Sequence, residues 1–274
     1  MKQHCFQLAT IAALLFAGVA SATSITNLTE WTLIEDPQDP GMSAMIDSPS
    51  QATLTATGSI NPGVDIGYGT IDGMDVATST SGFYFSPNED FTVAIDYDIS
   101  SLMSMGLGGI GLGIGEDVLG TDSAGIGIAL QDGMWLAAAG AARDGNMDAG
   151  TEILLTTPAL SGRLFVEYNS ITGSVILGIN SIQGSNVPGA TATLNGVQNL
   201  WDDQGLLASF FLRSEGAFNL TGLSSGTLTA VFSNFEVLEG TPIVIPEPSA
   251  AMLALLAASG ASLRRAGGRR RALS

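Results

Sequence analysis

The side chains of this chain that could do acid–base or nucleophilic chemistry are almost all carboxylates. Cys5 and His4 are the only cysteine and histidine among the 274 residues. Segment 23–245 contains 25 acids against three arginines, which gives it a net charge of −22. Thiol and imidazole nucleophiles and the usual zinc sites are therefore excluded for this segment. Its negative field repels phosphate backbones, so we expect no nucleic-acid partner.

Paired carboxylates are the groups that hydrolyse glycosidic bonds, one as acid and the other as base or nucleophile. Jelly-roll glucanases usually present theirs on one strand as Glu-x-Asp-x-x-Glu, and this string does not occur here. Asp96 and Asp98 are the nearest pair on one strand face. We interpret them as solvated residues of an outer face. The sequence therefore predicts no catalytic residues and no enzymatic activity.

One run of oxygen-bearing side chains has the spacing of a calcium loop. Asp144, Asn146 and Asp148 occupy its positions 1, 3 and 5. The run departs from the EF-hand at Ala149, which stands where that loop has glycine, and a polar hairpin turn is the alternative. The acidic loop 115–122 has the same ambiguity. Calcium at these three residues is the only metal or cofactor that we predict.

The elements that must position these side chains are predicted to be strands. Between residues 25 and 240, short runs of strand-forming residues are separated by Gly, Asn, Asp and Pro. The clearest runs are 51–57, 82–86, 91–99, 107–114, 125–131, 134–142, 163–169, 174–180, 206–213 and 227–238. In the last run the alternation changes phase near Asn234, which predicts a bulge. A single short helix is predicted at 196–203.

These runs, with no linker or repeat between them, predict an all-β protein with a single antiparallel β-sandwich over residues 23–240. The long central strands, the late strand at 205–212 and the closing strand at 230–237 resemble the jelly roll of the concanavalin and laminin-G type. That resemblance implies two packed sheets within one domain. An immunoglobulin-like pair of domains is the competing architecture.

Three successive strands carry small residues at alternate positions, which predicts a smooth outer face opposite an aliphatic core face. These residues are Gly109, Gly111, Gly113, Gly115, Gly125, Gly127, Ala129, Ala137, Ala139 and Ala141. Such a face could receive a glycan or a second copy of the chain, or a loop could cover it. Trp31, Trp135 and Trp201 are candidates for stacking on sugar rings, with core packing as the alternative.

The N-terminal segment 1–22 has the pattern of a secretory signal peptide. Lys2 precedes an uncharged apolar stretch at 8–20, which is too short to span a bilayer comfortably. Ala20 and Ala22 supply the small residues that signal peptidase needs on either side of Ser21. We therefore expect export through the secretion translocon, with cleavage after residue 22.

The C-terminus has three parts in a fixed order. A proline-broken segment, 241–248, ends in Pro246, Glu247 and Pro248. An uncharged apolar segment follows at 249–263, shorter than the roughly 20 residues that span a bilayer. The tail 264–274 carries the basic residues Arg264, Arg265, Arg269, Arg270 and Arg271. These arginines predict a short transmembrane segment with a cytoplasmic tail.

This order resembles the PEP-CTERM sorting signal of Gram-negative bacteria, in which a Pro-Glu-Pro motif precedes a transmembrane stretch and a basic cluster. The resemblance covers about 30 residues, 241–271, and implies processing by an exosortase, a membrane protease. It also implies a surface or exported protein in bacteria that make exopolysaccharide. An ordinary membrane anchor with a chance Pro-Glu-Pro is the alternative.

Together these features predict an exported protein at the cell surface or in the extracellular matrix, held in the membrane by its C-terminal segment before processing. Its body is predicted to be non-enzymatic and to serve adhesion, matrix association or contact with exopolysaccharide or another glycan. Two alternatives stay open. One is a secreted polysaccharide-active enzyme that uses Asp or Glu, and the other is a self-associating structural matrix protein.

Overall fold

The computed structural model describes residues 26–36, 38–101, 107–131, 134–153, 159–201, 204–214 and 225–245. These residues belong to one compact unit, Thr23–Ile245. The predicted signal peptide 1–22, Pro-Glu-Pro motif 246–248, apolar segment 249–263 and basic tail 264–274 all lie outside the described residues. Within the described ranges, no helix is long and apolar enough to cross a membrane.

The described chain is built almost entirely of strands. They are β1 (Thr32–Asp36), β2 (Met42–Ser48), β3 (Gln51–Thr57), β4 (Val64–Gly69), β5 (Phe83–Tyr84), β6 (Phe91–Ser101), β7 (Leu107–Gly115), β8 (Ser123–Gln131), β9 (Met134–Arg143), β10 (Asn146–Ile153), β11 (Ser161–Asn169), β12 (Ser174–Asn180), β13 (Ala190–Leu194), β14 (Leu207–Ser214), β15 (Thr227–Glu239) and β16 (Ile243–Val244). Two short 3-10 helices accompany them, Leu28–Glu30 and Val197–Leu200.

The strands form two antiparallel sheets of seven strands each. Sheet A has the order β1-β4-β14-β7-β8-β9-β10, and sheet B has the order β13-β12-β11-β6-β15-β3-β2. A small two-stranded sheet joins β16 to β5. The protein is therefore an all-β antiparallel sandwich of jelly-roll type, as the sequence predicts.

The core lies between the two sheets and is filled from one face of each strand. In β3, alternate residues are buried, which is the pattern of a strand with one face on the core. An aromatic cluster occupies part of this core: the Trp31 ring lies 4.7 Å from Phe235 and 5.4 Å from Phe210, centroid to centroid. Burying each such side chain contributes about 1.5–3 kcal/mol.

The phase change predicted near Asn234 is a β-bulge. Asn234 has a φ of +50°, and the register between β15 and β6 shifts between Ser233 and Glu236. Phe232 and Phe235 both face the core across this bulge. The shift turns Glu236, which would otherwise be in phase with the core residues Leu228 to Phe232, toward the outer face of sheet B.

The prediction for Ala137, Ala139 and Ala141 is wrong. They are 1%, 2% and 5% exposed and belong to the core. The register explains this, because Ala139 pairs with Ile126 and directly paired residues point to the same side of a sheet. Period two separates the faces of a strand but cannot tell which face is inside when both carry small residues. The small outer residues of β9 are Ala138 and Gly140 instead.

Candidate active site

The outer face of sheet B concentrates side chains that can do chemistry, on the adjacent strands β11, β6 and β15. Three rows of paired residues cross this face. Asp96 of β6 lies opposite Arg163 of β11. One row along, Ala94 lies between Phe165 and Glu236, and in the next row Thr92 lies between Glu167 and Glu239.

Arg163 is the centre of a buried ion cluster in the first two rows. Its Nη1 lies 3.3 Å from Asp96 Oδ1 and its Nη2 donates to Glu236 Oε2 at 2.5 Å. Asp96 Oδ2 also accepts a hydrogen bond from Asn234 Nδ2 at 3.0 Å. Arg163 and Asp96 are each only 1% exposed, whereas the Glu236 side chain is 48% exposed. The cluster therefore fixes one exposed carboxylate beside a buried charge pair.

The interpretation of Asp96 as a solvated residue is wrong, whereas Asp98 is exposed as expected. Sequence alternation places both on the outer face but does not show what lies above them. The loop 181–189, between β12 and β13, covers Asp96: Gly184 N donates to Asp96 Oδ1 at 2.9 Å, and Gln183 Nε2 donates to Tyr97 O at 3.0 Å. The counter-charge that makes this burial tolerable comes from Arg163, on the neighbouring strand.

Loop 181–189 lies so close to sheet B that it requires a glycine in β12. A Cβ atom added to Gly178 would lie 2.6 Å from the Cβ of Pro188 and 3.4 Å from that of Phe165. Asn180 Nδ2 further ties the loop to its own strand by donating to Val187 O at 2.9 Å. The loop therefore lies over the sheet rather than projecting into solvent.

A cavity of about 300 Å³ lies between this loop and the sheet. This volume is at the lower end of the range for small-molecule sites. It is lined by Thr92, Phe165, Glu167, Ile176, Gly178, Asn186, Val187, Pro188, Leu238 and Glu239. One wall of the cavity is apolar, and the charged groups among the described lining residues are Glu167 and Glu239.

Glu167 and Glu239 stand on opposite sides of Thr92, on strands separated by β6. Because neighbouring strands are about 4.8 Å apart, the Cα atoms of the two glutamates are about 10 Å apart. Glutamate side chains can close this gap to the ~5–9.5 Å that separates the carboxyl groups of glycoside hydrolases. The arrangement can thus place an acid and a base on either side of a bound group.

Sequence reasoning missed these glutamates for two different reasons. Alternation in β11 puts Arg163, Phe165 and Glu167 on one face, a signal that was available from the sequence. Glu239 was hidden, because the register of β15 shifts again between Val237 and Glu239. Only the pairing with β6 shows that Glu239 comes level with Thr92.

The small-residue face of sheet A is covered in places by side chains of its own strands. A Cβ added to Gly111 would lie 2.4 Å from the Phe211 ring, and one added to Gly69 would lie 2.9 Å from Ile34. Arg213 lies over Phe211, with its guanidinium carbon 5.4 Å from the ring centroid, and pairs with Asp65. Close packing therefore explains the glycine at these positions, while Gly109, Gly125 and Gly127 remain partly exposed.

The residues predicted to bind calcium lie in and after a tight turn between β9 and β10. Asp144 and Gly145 have φ of +49° and +73°, which is the geometry of a type I′ hairpin. Asn146 Nδ2 donates to Asp144 O at 3.0 Å. The side chain of Asp148 lies outside the described residues, and no group of three or more potential metal ligands occurs among those that are described. Calcium here stays a prediction.

The other predicted site residues divide between the core and the terminal segments. Trp31 and Trp201 are 6% and 7% exposed, so they pack in the core, and the side chain of Trp135 lies outside the described residues. All the residues predicted for processing and for membrane topology also lie outside the described residues. These are Ala20, Ala22, Pro246, Glu247, Pro248, Arg264, Arg265, Arg269, Arg270 and Arg271.

No protein family matches the chain, and a search of curated proteins gives no match. The fold is similar to that of several solved structures. A glycoside hydrolase family 16 endo-glucanase from Bacteroides ovatus is 14% identical, with a TM-score of 0.46, over 76% of this chain and 94% of its own. An alginate lyase from Pseudomonas aeruginosa is 13% identical, with a TM-score of 0.46, over 77% of this chain and 98% of its own.

The chain spans 36% of the length of the GH43B protein of the Bacteroides ovatus xyloglucan PUL, at 14% identity and a TM-score of 0.42. A lectin-like domain also occurs among these structures, but most are glycoside hydrolases or alginate lyases. Because polysaccharide-active enzymes predominate among these structures, the expectation of a non-enzymatic body is corrected. At identities of 10–14%, the similarity to these structures shows the fold alone.

Proposed function

We propose that this protein is an exported enzyme that hydrolyses glycosidic bonds of a polysaccharide in the cavity on sheet B. The observation that carries this proposal is the position of Glu167 and Glu239 on either side of Thr92 at a cavity of about 300 Å³. Ile176 and the apolar loop wall supply surface for a sugar ring, and the carboxylates supply the acid and the base.

The reaction needs only water as a co-reactant. One glutamic acid donates its proton to the glycosidic oxygen as the bond from that oxygen to the anomeric carbon breaks. The other glutamate takes a proton from a water molecule, whose oxygen forms the new bond to the anomeric carbon. The products are two shorter sugars, one with a new reducing end, and the proton lost by the first carboxyl is balanced by the proton gained by the second.

The test is release of reducing ends from a panel of polysaccharides by the full chain, purified in mild detergent. The double variant Glu167→Gln/Glu239→Gln should lose the activity. Asp98→Asn, which removes an exposed carboxylate of the same sheet face outside the cavity, is the matched control and should retain it. Equal activity of the wild type and the double variant would show that the cavity is not where cleavage occurs.

We further propose that the chain reaches its substrate through its two terminal segments. The signal peptide would direct it through the translocon to signal peptidase, and the tail from Pro246 to Arg271 would be processed by an exosortase. The PEP-CTERM resemblance supports this proposal, as does the order of motif, apolar segment and arginines. Protein at the cell surface or outside the cell would then meet exopolysaccharide or another extracellular glycan.

Replacing Pro246, Glu247 and Pro248 with alanine tests the sorting step in an exosortase-producing host. The expected result is accumulation of an unprocessed, membrane-bound form. Replacing Thr241 and Pro242 in the same linker is the control and should leave processing intact. Normal processing of the triple-alanine chain would support an ordinary membrane anchor instead.

A further inference from the structure

We propose that the cavity on sheet B accepts an uncharged sugar unit, so that the polymer cleaved is a neutral glycan and not a polyuronate. This inference rests on the proposed function, because it names the substrate class of the same site.

The first support is the sign of the charge around the cavity. Glu167 and Glu239 line it, and Asp98 and Glu236 lie on the same face of sheet B. The whole segment 23–245 has a net charge of −22. A sugar carboxylate that enters the cavity would be repelled at short range by both glutamates and at long range by the net negative charge of the segment.

The second support is that the cations of this segment are committed elsewhere. Segment 23–245 contains no lysine or histidine and only three arginines. The two terminal nitrogens of Arg163 pair with Asp96 and Glu236. Within the described part of the chain its Nε is buried without a hydrogen-bond partner, so Arg163 presents no donor at the surface. Arg213 is paired with Asp65 on the outer face of sheet A.

Arg143 is the last residue of β9, an inner strand of sheet A. None of the described residues that line the cavity is basic. Enzymes that recognise a uronate need a cation or several aimed donors for its carboxylate, since an unpaired carboxylate in an enclosed site is costly. The described lining offers the amide of Asn186 and the hydroxyl of Thr92, which suit the hydroxyl groups of a neutral sugar.

The third support concerns the base that elimination from a uronate would require. Apart from carboxylates, the segment could supply only tyrosines. Tyr97 and Tyr168 belong to β6 and β11 but point into the core, where each is at most 1% exposed. Burial raises the pKa of Tyr97, and the Tyr168 hydroxyl donates to Pro87 O at 2.8 Å. Both phenols therefore lie on the side of sheet B away from the cavity.

The cavity wall is also matched to an uncharged ring. Ile176, Val187 and Pro188 line it together with Phe165. The C–H faces of a neutral pyranose can pack on such a wall without leaving a charged group unhydrated. Hydrolysis by the two glutamates is also compatible with a neutral sugar, because this reaction requires no carboxylate on the substrate.

The test compares polymers that share a backbone and differ in charge. The full chain is assayed for release of reducing ends from hydroxyethylcellulose and carboxymethylcellulose, and from methyl-esterified and free polygalacturonate. In each pair we expect the neutral polymer to be cleaved at least about tenfold faster at low salt, and the difference to shrink as salt screens the field. Faster or equal cleavage of the anionic member overturns the inference and leaves the proposed function standing.

Binding separates failure of this inference from failure of the proposed function. If no polymer is cleaved, the proposed function fails, and retardation of the chain in native gels containing each polymer decides the inference alone. Retardation by the neutral members only would support it. Equal or stronger retardation by the anionic members, or none by any polymer, would overturn it.

A charge-gain variant makes the test local to the cavity. Asn186→Lys places a cation in the lining, and we expect it to raise retardation by polygalacturonate at least about fivefold. Asn195→Lys adds the same charge at an exposed site beyond β13 and is the matched control. An equal gain in both variants would show that only net charge matters and that the cavity does not select the sugar.

Discussion

Arg163 and Asp96 face each other across β11 and β6, with 3.3 Å between Nη1 and Oδ1 and only 1% of either side chain exposed. The pair joins four elements, because Asp96 also accepts hydrogen bonds from loop 181–189 and from the bulge of β15. A structural charge pair thus supports the two segments that flank the cavity.

Removing one partner of this pair should cost far more than removing a surface pair. Arg163→Met leaves the Asp96 carboxylate buried without its counter-charge, so we expect a loss of about 3–5 kcal/mol in the free energy of unfolding. Arg213→Met, at a partly exposed pair, is the control and should cost about 1 kcal/mol or less. Urea unfolding followed by tryptophan fluorescence measures both. Equal losses in the free energy of unfolding would mean that burial does not increase the contribution of Arg163 to stability.

Asn234 should be a positioning residue that stabilises the bulge of β15 and holds Asp96 in place. Its φ of +50° is tolerated by Asn and Gly, so Asn234→Ala should cost about 1–2 kcal/mol of stability. Asn234→Gly keeps the backbone but removes the donor to Asp96 Oδ2. We expect the glycine variant to retain most of the stability and to show a raised KM. The reason is that Asp96, which also binds loop 181–189, loses its hydrogen bond to β15. Identical behaviour of the two variants would place the whole effect in the lost hydrogen bond to Asp96 and none of it in the backbone.

A substitution at Gly178 tests whether loop 181–189 forms the wall of the cavity. Gly178→Ala places a methyl group where Pro188 lies, so the loop must shift outward. We expect a several-fold rise in KM with a loss of about 1–3 kcal/mol in stability. Gly113→Ala, where the added Cβ would meet only ordinary contacts of 3.5 Å or more, is the control. An unchanged KM in Gly178→Ala would separate the loop from substrate binding.

Asp72 should contribute to acid sensitivity. Burial raises the pKa of this carboxyl, but hydrogen bonds from Thr80 and Ser81 outweigh that effect and lower the pKa to about 2. Because this folded-state pKa is depressed, the stabilisation is present above the unfolded pKa of about 4 and is lost as pH falls toward 2. NMR titration of Asp72 in the wild type and in Thr80→Val measures it, and the variant should titrate at a higher pH. The exposure of Asp72 keeps its effect on unfolding small.

The fold class and ten of the strands could be predicted from the sequence, because alternation and turn chemistry are local. The run 174–180 is the strand β12, and Asp144-Gly145 lies in a hairpin turn, the predicted alternative to a calcium loop. The strands β1, β2, β4, β10, β13 and β16 were not predicted, since several are edge strands or follow turns with weak apolar patterning. Short edge strands obtain their conformation from the neighbour they pair with, which one sequence window does not contain.

The candidate site was much less predictable, because it depends on pairings between distant segments. Glu167 and Glu239 are 72 residues apart in the chain and come together only through Thr92 of β6. A search for several carboxylates on one strand could not find a pair divided between two strands. The bulges in β15 hide the second glutamate further, since they break the alternation that would assign it to a face.

Both glutamates of the cavity should be needed for turnover. Glu167→Gln and Glu239→Gln should each lower kcat by about 10²–10⁴-fold, because general acid or base catalysis by a single carboxyl contributes a factor of this size. Glu236→Gln, which changes the carboxylate paired with Arg163 outside the cavity lining, is the control and should keep most of kcat. Steady-state kinetics on a cleaved polysaccharide measures all three variants. If both cavity variants kept the wild-type kcat, the pairing of Glu167 and Glu239 across Thr92 would have no part in proton transfer.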